Sequence, residues 1–196
     1  MKKIEIIWRE LLFQAVQKGN REFTQKKIAG QFGFSTSTVF QALKVPRKMG
    51  AVRVTGRYFI LEDPEKLLYH WASVRNFQRD IVYSTHIDSS VIEIEAKMPA
   101  EVIFGSFSAA RQILAEPPAD YDKVYVYATD LDEIKKRFKS QKGRENLFVL
   151  KADNFLSRYG QITPISQTFV DLWNLSDWYA KEFVKVLKEK IDELLS

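Results

Sequence analysis

The chain has 196 residues, 45% of them hydrophobic and 13% aromatic, with a formal net charge of +5, no cysteine and two histidines. That composition excludes a disordered chain, a disulfide scaffold and a thiolate metal site, and any zinc shell around His70 or His86 would need carboxylates. No run approaches the ~18 apolar residues of a membrane span, and charged Glu5, Arg9 and Glu10 interrupt the N-terminal stretch before a secretion signal could form.

A soluble, cytoplasmic protein with no membrane contact, metal or other cofactor is therefore expected. One small module of the kind built from a few short helices and a hairpin needs roughly 60–80 residues, so a second domain of about 120 residues is also expected.

Ile4, Ile7, Trp8, Leu11, Leu12 and Ala15 recur at helical spacing and predict a first helix, closed by Gly19-Asn20. From Gln25 the pattern changes to two short helices meeting at a tight turn. Ile28, Phe32, Phe34 and Val39 supply the shared apolar face, Ala29 is small at the closest approach, and Gly33 stands at the turn.

Ser35 is placed to cap the second helix. That helix is predicted to run to about Met49, with Pro46 shortening or kinking it and Gly50 as the stop. Residues 51–54 and 57–61 are β-rich runs around Thr55-Gly56, a hairpin signal.

Together these elements read as a winged helix-turn-helix. Ser35, Thr36, Ser37, Thr38 and Gln41 are the residues expected to face base edges in a major groove, with Lys44, Arg47, Lys48, Arg53, Thr55 and Arg57 left for phosphates and the wing. Charge agrees with the pattern. Residues 1–61 carry 12 Lys and Arg against 3 Asp and Glu, a net +9, which leaves −4 for the remainder.

Asp63-Pro64 opens a further helix with Leu67, Leu68, Trp71 and Val74 on one side, expected to link the two domains over residues 63–79. Beyond it, strands and helices alternate. Residues 81–87, 102–104, 123–128 and 146–151 read as strands, 108–114 and 131–138 as helices, and 91–97 as either a capped helix or a strand. The tail from Ser166 to Leu195 is helical, with a break at residues 174–177. Its alternating Lys and Glu fit a solvated outer face.

Ile103-Phe104-Gly105-Ser106 followed by Asp122-Lys123-Val124 resembles a nucleotidyltransferase pattern, in which a Gly-Ser turn precedes two carboxylates one residue apart on a strand. Only Asp122 is acidic here, because Val124 occupies the second place and cannot ligate Mg²⁺. Gly105-Ser106 then reads as a strand-to-helix turn with a capping serine, and no catalytic residue is assigned.

The order of these parts is similar to the AbiEi family of transcriptional-regulator antitoxins of type IV toxin–antitoxin operons. The parts are the helix-turn-helix and wing, the segment FILEDPEKLLYHW, then IFGSFSAARQIL, YDKVYVYATD and ISQTFVDLWNL before a closing amphipathic helix. The resemblance implies an autorepressor that binds double-stranded DNA at its operator and counters a protein toxin through the C-terminal domain.

The expected architecture is α+β. A winged helix-turn-helix domain spans residues 1–62, a linker helix 63–79, and a mixed α/β domain 80–196 resembles a degenerate nucleotidyltransferase-like fold. A homodimer is expected on palindromic half-sites. The rival expectation is a nucleotidyltransferase-like enzyme with a nucleic-acid-binding head.

Overall fold

The computed structural model describes all 196 residues as a mixed α+β protein, 52% helix and 14% strand. Two compact units divide the chain: residues 1–75 together with 190–196, and residues 76–189.

In the first unit, α1 (Lys3–Lys18), α2 (Gln25–Phe32), α3 (Thr36–Lys48) and α4 (Pro64–Val74) surround a small antiparallel sheet. Its strands β1 (Glu22–Phe23), β2 (Val52–Val54) and β3 (Phe59–Leu61) lie in the order β1-β3-β2. Ile7, Leu11, Leu12 and Ala15 bury the inner face of α1, which packs on α3 and α4. Each of the Ile and Leu side chains contributes about 1.5–3 kcal/mol relative to exposure. The α2–α3 turn is made at Gly33 with φ 62°, a left-handed backbone that suits glycine.

Pro46 does not end α3 early, since the helix continues to Lys48, and the proline is itself buried. A proline at this position withholds the amide that would bond the Ala42 carbonyl one turn back. Trp8 of α1 supplies the replacement: its indole N–H donates to Ala42 O at 2.7 Å in the buried core.

The segment expected to link the domains instead divides between the units. Helix α4, capped by Asp63 through the Lys66 amide at 2.9 Å, belongs to the first unit, because Leu67, Leu68 and Trp71 are buried and α4 packs along α1. Glu5 ties the two helices, accepting from Trp71 Nε1 at 3.2 Å and from Arg75 Nη1 at 3.4 Å, with both members of the ion pair buried. Phe77 falls in the second unit, against the Tyr125 ring at 5.6 Å. The first unit also takes in residues 190–196, where Ile191 is buried and Leu195 O accepts from Arg21 Nη2 at 3.0 Å.

The second unit is built on a four-stranded mixed sheet. Its strands β4 (Ile81–Thr85), β5 (Ile103–Gly105), β6 (Val124–Ala128) and β7 (Leu147–Lys151) lie in the order β4-β7-β6-β5. Only β6 and β7 run parallel. Period two sorts β6, with Val124, Val126 and Ala128 joining Ile94, Ile134, Phe138, Leu147 and Val149 in one core cluster. Tyr125 points to the opposite side, toward Phe107 and Phe77.

Helices α5 (Val91–Ala96), α6 (Ser106–Leu114), α7 (Asp132–Arg137), α8 (Ile165–Trp173) and α9 (Ala180–Leu195) complete the chain. The open choice at residues 91–97 resolves as helix through a reciprocal capping box between Ser90 and Glu93.

Candidate nucleic-acid interface

The exposed side of the first unit is assembled from α2, α3 and the β2–β3 hairpin. Ser35 caps α3, its Oγ accepting from the Thr38 amide at 3.1 Å and lying 3.0 Å from Thr38 Oγ1. The two hydroxyls therefore satisfy the helix start and each other, and Thr38 is half-buried.

Burial of Val39, Ala42, Leu43 and Pro46 sets the inner face of α3. At 100° per residue, Ser37, Gln41, Lys44 and Lys48 fall within about 60° of one another on the opposite face. All four are exposed, and neither lysine makes an ion pair. This stripe is narrower than the run of Ser35, Thr36, Ser37, Thr38 and Gln41 read from the sequence, since consecutive residues on a helix cannot share a face.

Phe40 was not singled out from sequence, yet it flanks the stripe at 44% exposure with the Arg47 guanidinium 5.9 Å from its ring centre. The helical wheel alone could have found it, given that Val39 and Leu43 point inward.

Thr36 lies apart from the stripe, in a cleft of about 350 Å³ shared with Thr24, Lys26, Thr55, Arg57 and Tyr58. The N-termini of α2 and α3 both open near this cleft, where backbone amides and the helix dipoles favour an anion, and Lys26 and Arg57 add two exposed cations. Thr55 serves the hairpin turn itself, with its Oγ1 donating to Tyr58 O at 2.7 Å and accepting from the Tyr58 amide at 3.2 Å. Arg53 is held by Glu62 at 2.5 Å on the surface, so a phosphate would have to displace that carboxylate.

In the second unit, Gly105-Ser106 does open a helix, but the capping role expected for Ser106 is not observed. Gly105 is the N-cap, and Ser106 Oγ is buried without a hydrogen-bond partner at φ 46°. A Cβ on Gly105 would meet the Tyr127 ring at 2.9 Å, which is why glycine stands there. Asp122 accepts a hydrogen bond from the Tyr179 hydroxyl, while Val124 is fully buried in the apolar cluster.

Burial and the bond to Asp122 push the Tyr179 phenol up, and burial with the charges of Asp177, Tyr179 and Asp122 raises Tyr125. Burial and Glu95 push Tyr121 up to about 12. No group of three His, Asp or Glu side chains is placed to hold a metal ion, and no helix is long and apolar enough to cross a membrane. Compared with protein-family models, curated proteins and solved structures, the chain matches none of them.

Proposed function

We propose that the first unit is a winged helix that reads double-stranded DNA, and that the chain is a transcriptional regulator of the antitoxin-type autorepressor class. The observation that carries this reading is the outward stripe Ser37, Gln41, Lys44 and Lys48 on the second helix of a helix-turn-helix, beside a cationic cleft at the hairpin. Gln41 has the two-pronged amide that pairs with adenine N6 and N7, and Phe40 offers an apolar face to a thymine methyl. Lys44, Arg47, Lys48, Arg57 and Lys26 then hold the backbone. The autorepressor and toxin-binding parts of the proposal rest on the family resemblance.

Fluorescence anisotropy with duplexes from upstream DNA, over a salt series, tests the reading. Neutralising about five phosphates at the first unit contributes about −4 to −5 to the log–log slope. Gln41→Ala should flatten the preference among sequences by about 1–3 kcal/mol, whereas Lys48→Ala should weaken all duplexes alike. A salt-independent or absent response sinks it.

The second unit is proposed as a degenerate nucleotidyltransferase-like body without catalysis. Support comes from Val124 in the core and from Asp122 engaged by Tyr179. Mg²⁺-dependent transfer from a labelled nucleoside triphosphate, abolished by Asp122→Ala, would overturn that part.

A further inference from the structure

Residues 135–144, KKRFKSQKGR, hold six cations and no acid, within a second unit that has 15 Lys and Arg against 17 Asp and Glu, a net −2. Solvated charge usually alternates in sign, as it does along α9 in KEFVKVLKEKIDE; this segment does not. Arg137 is tied to Glu133 and to the Lys97 carbonyl, and Lys135 covers the Tyr83 ring at 5.6 Å. Lys136, Lys139, Lys142 and Arg144 are exposed and make no ion pair.

The segment is a built loop. Tyr83 Oη donates to Phe138 O at 2.7 Å, the Gln141 amide donates to Thr85 Oγ1 at 3.1 Å, and Arg144 O lies 2.9 Å from His86 Nδ1. Asn146 fixes the exit by bonding both the N–H and the C=O of Ile87, at 2.8 and 2.9 Å. Gly143 lets the loop close on His86, where a Cβ would sit 2.5 Å from the imidazole ring. The backbone of the loop is thus anchored before an anion arrives, which leaves only the cationic side chains to be ordered.

We propose that Lys136, Lys139, Lys142 and Arg144 form a second phosphate-binding surface, which contacts the backbone of double-stranded DNA without reading sequence. The proposal rests on the DNA-reading function of the first unit, since both units share one chain and binding by one supplies duplex to the other. Duplex is favoured over single strands because strand binders stack bases on open aromatic faces, and here Phe138 is buried while the Tyr83 ring is covered by Lys135.

The test uses the full chain and a duplex that the wild type binds. The triple variant Lys136→Gln, Lys139→Gln, Lys142→Gln should reduce the salt slope by between about 2 and 3 and weaken binding roughly 10- to 100-fold at 0.1 M salt. The ratio between preferred and scrambled duplexes should stay unchanged. Replacing the same three lysines by arginine should retain wild-type binding. Removing equal charge elsewhere on the unit, by Lys151→Gln, Lys181→Gln and Lys185→Gln, should leave the slope alone.

An unchanged slope in the 136/139/142 variant, with wild type still binding, overturns the second surface and leaves the reader standing. Loss of phosphatidylserine-vesicle binding in that variant, with no change in DNA slope, assigns the loop to membranes and also overturns it. No DNA binding by wild type overturns both proposals.

Discussion

Trp8 substitutes for a missing backbone donor, and this makes a single indole N–H responsible for the continuity of α3 across Pro46. Trp8→Phe removes the donor and leaves the Ala42 carbonyl buried without it, at a cost of about 1–3 kcal/mol in urea unfolding. Pro46→Ala restores the helical amide, so it should recover part of that loss in the Trp8→Phe background, and a double-mutant cycle should show coupling between positions 8 and 46 through the shared Ala42 carbonyl. Additive effects would refute the account. Glu5 presents a harsher case, because Arg75→Met strands a buried carboxylate with the Trp71 indole, and a loss of about 3–5 kcal/mol is expected by the same measurement.

The pairing of α1 with α4 carries a pH dependence. His70 of α4 packs edge-on to Trp8 with ring centres 5.1 Å apart, and burial lowers its pKa below 6.5. The unfolded chain then takes up a proton before the folded one does. Its contribution is full above pH 6.5 and is lost as pH falls from there toward the folded value. Wild type should show a lower urea midpoint at pH 5.5 than at 7.5, and His70→Phe should shrink that difference; equal differences in both would reject it.

At this scale α2, the turn at Gly33 and the Ser35-capped α3 were legible, because the constraints at Ile28, Ala29, Gly33, Ser35 and Val39 are local in the chain. The persistence of α3 past Pro46 was not, since the compensating donor lies on α1. Ser106 looked like a cap for a similar reason: its neighbours in sequence suit one, but Gly105 takes that position and the hydroxyl is buried. The outward placement of Ser37, Gln41, Lys44 and Lys48 follows from helical spacing. So does that of Phe40 once Val39 and Leu43 point inward, although an apolar residue beside a buried one gives no sign of it in the sequence alone.

Across the molecule, charge and aromatic burial separate the two units. The first carries 15 Lys and Arg against 8 Asp and Glu, a net +7, and the second a net −2 with its phenols held protonated around β6. Tyr121, Tyr125 and Tyr179 keep protons that an unfolded chain releases near pH 10, so their contribution is complete below pH 10 and disappears as pH rises toward the folded values. Tyrosinate absorbance should therefore rise in more than one stage, the partly exposed phenols of Tyr58, Tyr69, Tyr83 and Tyr159 first and these three only with unfolding. A single early stage accounting for all eight tyrosines would contradict the burial described.

Residues 190–196 belong to the same unit as residues 1–75, with Leu195 bonded to Arg21. If the first unit reads DNA as proposed, deleting them should weaken that binding by loosening the unit, and intact affinity would show that the contact is dispensable. During synthesis, the ribosome completes residues 1–75 long before it reaches position 190, so this unit cannot close until residues 190–196 have also been made. A nascent chain, or one terminated before position 190, would carry the stripe in an unfinished unit, and under the proposed DNA-reading function it would not compete with finished chains for duplex.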